Sequence, residues 1–220
     1  MKKIAYHLAT ALFSSMVAAS AGAAVVATNT QYGAIDGRED SRTLDVAMRG
    51  RITDVNISVE ISKCDDPAIG PTGTVCLGRG RSFDNEFMLT LVAPSGESVN
   101  LVEAFSTYGI GGFGGAGRVN ITFDDEASSA VGPRLEAGTF RPAESLSAFD
   151  GMDAFGSWTL YLQDFSSGDP LEFFSAQLDI TADAPMQVPE PATLAVMGLG
   201  VIGMRLARRR RTQQRGTVKR

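Results

Sequence analysis

Histidine is almost missing from this chain. The 220 residues hold one, His7, and it lies in a leading apolar segment of the kind that export removes. A mature chain without imidazole has no Ser/His/Asp or Cys/His machinery and no His-ligated metal. Positive charge is scarce in the middle of the chain. All 25 acidic residues fall between Asp36 and Glu190, against ten Lys and Arg, a net of −15, while the other ten basic residues sit at the two ends. An acidic body of this kind repels phosphate backbones, which excludes nucleic acid as a partner. Helical periodicity is also absent, because no stretch from Ala24 to Pro185 repeats apolar residues at helical spacing.

Short alternating runs are present instead, separated by Gly, Pro, Asp and Ser. Val55, Ile57, Val59 and Ile61 alternate with polar residues. So do Phe87, Leu89, Leu91 and Ala93, which lead into a Pro94-Ser95-Gly96 turn and a return run through Val99 and Leu101. Val119, Ile121 and Phe123, then Trp158, Leu160 and Leu162, then Ala176, Leu178 and Ile180 repeat the pattern. Period two places each set on one face of a sheet, and one buried face per strand predicts two packed antiparallel sheets. The fold class expected is all-β.

The ends read as processing segments. Lys2 and Lys3 precede an apolar stretch from Ile4 to Ala19, and Ala21-Gly22-Ala23 closes it with small residues. This is the secretory pattern, with cleavage expected between Ala23 and Ala24 and the Sec translocase as the implied exporter. At the other end Val188-Pro189-Glu190-Pro191 precedes an apolar run from Ala192 to Leu206, followed by Arg208, Arg209, Arg210 and Arg211. A helix over that run is about 22 Å long at ~1.5 Å per residue. The arginines extend its reach by snorkelling and hold this end in the cytoplasm. This order resembles the PEP-CTERM sorting signal, with Pro189, Glu190 and Pro191 as its motif. The resemblance implies processing by an exosortase-type enzyme and transfer to the cell surface or exopolysaccharide matrix. The tail from Thr212 to Arg220 departs from that pattern by its length.

The middle carries a second resemblance. Phe87 to Gly96, Ile121 to Ala127, Leu146 to Gly151, Gly156 to Asp164 and the run from Phe174 to Thr181 together resemble the P domain (Homo B domain) that accompanies proprotein convertases. The Gly156-Ser157-Trp158-Thr159-Leu160 stretch is the most specific part. The resemblance implies a jelly-roll β-sandwich related to galactose-binding folds. The subtilisin-like protease of that family has no counterpart in this sequence, so its peptidase activity does not carry over. The expected organisation is a signal peptide over 1–23, a linker over 24–43 and a sandwich over 44–182. A second linker over 183–187, the sorting signal with its transmembrane helix over 188–211 and a basic tail over 212–220 complete it.

Several candidate sites follow. Cys64 and Cys76 flank a loop with Asp65, Asp66, Pro67, Gly70, Pro71 and Gly73. An oxidising compartment pairs them, which closes the loop for roughly 3 kcal/mol in the chain-entropy model. Lys63, the last lysine of the processed chain, is expected in solvent beside that loop. Asp124, Asp125 and Glu126 follow one predicted strand, and Asp164 and Asp169 bracket the turn after another. If the sandwich joins the two groups they form a calcium site; otherwise they are a solvated acidic face. Tyr32, Tyr108 and Phe113, near the Gly109–Gly117 run, are the expected sugar contacts. That run lacks the Lys-Ser/Thr of a phosphate-binding loop. Two functions remain: a non-catalytic surface module that binds extracellular polysaccharide or builds structure, or an accessory module for a separately encoded subtilisin-like secreted protease.

Overall fold

The computed structural model describes residues 22–183. Ten strands form two sheets. In chain order they are β1 (Ala23–Asn29), β2 (Gly33–Ile35), β3 (Glu39–Val46), β4 (Arg51–Cys64), β5 (Phe87–Val92), β6 (Ser98–Val102), β7 (Gly115–Phe123), β8 (Gly138–Phe140), β9 (Gly156–Asp164) and β10 (Leu171–Asp183). The larger sheet runs β1-β10-β4-β7-β8, with β2 also on β10, and the smaller runs β3-β9-β5-β6. All pairs are antiparallel except the short β7–β8 pair. The fold class is therefore an all-β sandwich, as the alternating runs predict.

The alternation places the core. On β4, Val55, Ile57, Val59 and Ile61 are buried, and they face Leu89, Leu91, Trp158, Leu160 and Leu162 of the smaller sheet. Burying one such side chain stabilises the fold by ~1.5–3 kcal/mol. Ile52 and Val55 break strict alternation yet are both buried, because the β4–β10 ladder shifts register between Thr181 and Ala182. A second shift on β10, between Phe173 and Ser175, inserts Phe174 as an extra residue, so that Phe173 and Ala176 both face the core although their parities differ. Phe173 joins the core while Phe174 packs beside Tyr32, 5.6 Å between rings. Trp158 is fully buried, meets Phe149 edge-on at 5.0 Å and donates its indole N–H to the Ala154 carbonyl at 3.0 Å. The Pro94-Ser95-Gly96 turn joins β5 to β6, with Gly96 at φ 91°, a left-handed conformation that glycine adopts without strain.

Residues 24–43 are not a linker. They supply β1 after its first residue, β2 and half of β3, and the domain begins twenty residues earlier than the resemblance suggests. Alternation is weak there, since Ala, Gly and Thr dominate and β1 and β2 lie on the outer side of β10. The signal segment before Gly22, the linker over 184–187, the sorting motif, the expected transmembrane run and the basic tail lie outside the described residues. Among the described residues no helix is long and apolar enough to cross a membrane.

The sandwich has two poles. At one, β1 starts at Ala23 opposite Ala182 and β4 starts at Arg51 opposite Asp183. At the other, β4 ends at Cys64 opposite Gly115, and Lys63 pairs with Leu171. The long loops 65–86, 103–114 and 165–170 gather at this second, loop-bearing pole. Asp66 donates its N–H to the Gly168 carbonyl, and Ser82 donates to Gly112.

Candidate functional site

The loop pole is organised around a buried lysine. Lys63, at 0 % exposure, is not in solvent as its neighbours in sequence suggest. It is the penultimate residue of β4, and its parity aims it between the sheets, where the returning loops cover it. Its Nζ lies 2.9 Å from Asp164 Oδ2 and 3.1 Å from Asp169 Oδ2, and it donates to the Asp169 carbonyl. Asp164, at the end of β9, also accepts from the Leu171 and Ser166 amides at 3.0 and 3.2 Å. Burial pushes the Asp164 carboxyl up, against the opposing pull of the Lys63 charge. Asp169 accepts from the Phe83 amide at 2.5 Å, which ties the 79–86 loop to the cluster.

The two acidic groups expected to share calcium are not brought together. Asp124, Asp125 and Glu126 leave β7 toward the terminal pole. There Asp54 has its carboxyl pushed up by burial and by the Asp124 and Asp150 charges. Asp54 and Lys63 are about nine residues apart on one strand, roughly 30 Å at ~3.3 Å per residue. Asp125 instead caps the 3-10 turn at Leu146–Phe149, accepting from the Leu146 and Ser147 amides at 3.0 and 2.9 Å. Asp124 accepts from the Glu126 amide at 2.7 Å. Asp164 and Asp169 already have their cation in the Lys63 ammonium. Among the described residues no group of three or more His, Cys, Asp or Glu side chains could hold a metal.

Cys64 and Cys76 are joined in a disulfide. The loop they close is held from beneath by Glu172, which sequence reasoning overlooks. Glu172 is fully buried, and one oxygen accepts from the Tyr32 hydroxyl at 2.6 Å and the Gly70 amide at 2.9 Å. The other accepts from Ser62 Oγ at 2.8 Å and the Ile69 amide at 2.9 Å. The available signal was a single carboxylate in the apolar run Leu171-Glu172-Phe173-Phe174. Burial and the Glu172 carboxylate push the Tyr32 hydroxyl well above its ordinary range.

A cleft of about 410 Å3 opens beside this core, lined by Asp84, Gly111, Gly112, Pro133, Arg134 and others. Asp84 is 4 % exposed, accepts from Ser82 Oγ at 2.8 Å, and lies so close to Gly111 that any Cβ there would meet its carboxylate. Burial pushes the Asp84 carboxyl up to about 6, with the Ser82 hydrogen bond and the Lys63 charge pulling down and Asp169 pushing up. The sign of the pH effect follows. Between its ordinary value of 3.8 and about 6 the folded state holds a proton that the unfolded chain has released. Stability therefore falls as pH rises through that window and stays lower above it. Asp84→Asn removes the titration and should stabilise the domain at pH 7.5 by about 1–2 kcal/mol, allowing for solvent in the cleft. The gain should vanish near pH 4, as read by urea unfolding at the two pH values.

Of the expected sugar contacts, Tyr108 is buried at 5 % and stacks on Phe87 at 5.5 Å, and Tyr32 is half-buried on Glu172. The Gly-rich run holds Tyr108 inward by the Gly109-to-Pro133 backbone bond of 2.9 Å. Phe113 is 74 % exposed, with the Arg81 guanidinium 4.6 Å over its ring. It is not alone. Val75, Leu77, Phe83, Phe105, Ile110 and Phe165 are also exposed on the loops of this pole. Phe105 sits 5.6 Å from Phe165 and is a bulky residue at φ 60°, a conformation that costs on the order of 1–3 kcal/mol.

Comparison with known proteins gives one match by sequence. The PEP-CTERM protein-sorting motif matches residues 187–211, which contain Pro189-Glu190-Pro191 and Arg208 to Arg211. The motif marks the chain as an exported protein sorted by an exosortase. No curated protein matches the chain. Among solved structures, a serine protease of Aeromonas sobria in complex with its chaperone aligns at 14 % identity and a TM-score of 0.44. The alignment covers 75 % of this chain and 28 % of that one. The serine protease of Aeromonas sobria on its own aligns at 15 % identity and a TM-score of 0.41, over 74 % of this chain and 27 % of that one. This chain thus spans little more than a quarter of the length of either.

Proposed function

We propose that this protein is a non-catalytic binding or structural module, a P-domain-like sandwich held at the cell surface or in the exopolysaccharide matrix. Export through the Sec translocase with cleavage between Ala23 and Ala24, and exosortase processing near Pro189-Glu190-Pro191, deliver it there. The observation that carries the binding role is the loop pole. Exposed apolar side chains gather on its loops, and the Lys63 cluster, the disulfide and Glu172 hold those loops in place. Solvent-facing apolar side chains on a braced surface serve recognition better than stability. Catalysis has poor support. The cysteines are bonded, the lysine is locked in an ion cluster, and the only histidine lies in the leader.

The second reading is an accessory module for a separately encoded subtilisin-like protease, which would dock on the same pole. One experiment addresses both. Surface material from the native host should contain a chain that starts at Ala24, lacks Arg208 to Arg211 and cleaves no peptide in a broad library. Glu190→Ala should leave the full tail attached and the protein in the membrane fraction. Peptide cleavage that survives Lys63→Ala would show a catalytic site and end the non-catalytic reading.

A further inference from the structure

We propose that the outer face of the larger sheet is a binding groove for a neutral polysaccharide. The assignment goes beyond the reading above and does not depend on the loop pole. The register stacks the outward side chains of β1, β10, β4 and β7 in rows. Thr28, Gln177, Ser58 and Thr122 form one row, and Ser175, Glu60 and Asn120 form the next. Thr28, Ser58, Glu60, Asn120, Ser175 and Gln177 line a cleft of about 490 Å3, in the size range of ligand sites. Ser58 and Glu60 are only half exposed although they point out of the sheet.

The chemistry selects the occupant. The lining side chains are short hydroxyls and amides that both give and accept hydrogen bonds, which suits a polyhydroxylated chain. The one lining carboxylate, Glu60, is neutralised by Arg118 at 2.7 Å and held below its usual range by that guanidinium. Asp54 and Asp179 lie on the same face and would repel a uronic-acid polymer. No large apolar side chain lines the cleft, which removes the basis for an apolar peptide or a lipid.

The test is native affinity electrophoresis of the full chain in a polyoxyethylene detergent, in gels containing galactomannan, laminarin, dextran or alginate. At least one of the three neutral polymers should retard the protein, and alginate should not. The Asn120→Ala/Gln177→Ala double variant changes two exposed side chains and should melt like the parent. It should bind the retarding polymer about tenfold more weakly. A Phe113→Ser variant, altered at the pole, should be retarded like the parent. Unchanged mobility in all three neutral gels, retardation by alginate, retention by the double variant, or loss with Phe113→Ser would each overturn the assignment.

Discussion

Lys63→Met should cost the domain about 3–5 kcal/mol, because it leaves two buried carboxylates without their cation. Methionine keeps the volume of the side chain, so packing is a minor part of the loss. Asp164 and Asp169 are then uncompensated at 0 and 4 % side-chain exposure. The pH dependence separates charge from packing. Burial already raises the Asp164 carboxyl, and loss of the Lys63 charge raises it further. A carboxyl raised in the folded state costs stability above its unfolded value and none below it. The deficit of the variant should therefore be larger at pH 8 than at pH 5, by urea unfolding of the processed protein. An equal deficit at both values would mean that the cluster contributes through shape alone.

Glu172→Leu should be nearly as damaging, at about 3–5 kcal/mol, since it strands four donors: the Tyr32 and Ser62 hydroxyls and the Ile69 and Gly70 amides. Its signature is local as well as global. The Ile69 and Gly70 amides belong to the loop closed by Cys64 and Cys76, so their hydrogen exchange should accelerate together. Unchanged exchange at those amides would show that the disulfide alone holds the loop.

The sandwich was legible in the sequence because period-two patterning is a local property. Val55 to Ile61, Phe87 to Leu91 and Trp158 to Leu162 each announce their face without help from distant residues. The first strands were not legible, because Ala23 to Asn29 carries too little contrast between its two faces, and its pairing with β10 is set some 150 residues away. The site was harder still. The parity of β4 carries Lys63 inward, but nothing near it in sequence shows what seals and neutralises it there, since loops 65–86 and 165–170 supply its cover and Asp164 of β9 and Asp169 its carboxylates. Asp124 to Glu126 and the Asp164/Asp169 pair each stand at the end of a strand in sequence, yet opposite strand directions send them to opposite poles. The sorting motif was readable because a tripeptide, an apolar run and an arginine block in order form a signal that no fold is needed to interpret.

The β1–β10–β4 arrangement has a mechanical consequence. The chain leaves the described domain at Asp183, from the end of a strand paired to β4 along nearly its whole length. Ladder hydrogen bonds lie across the strand axis. Tension between Asp183 and a load gripped at the far loops runs along β10. It must shear the whole ladder at once and cannot peel it one bond at a time. A protein hauled on through Asp183 would thus be pulled in its stiffest direction.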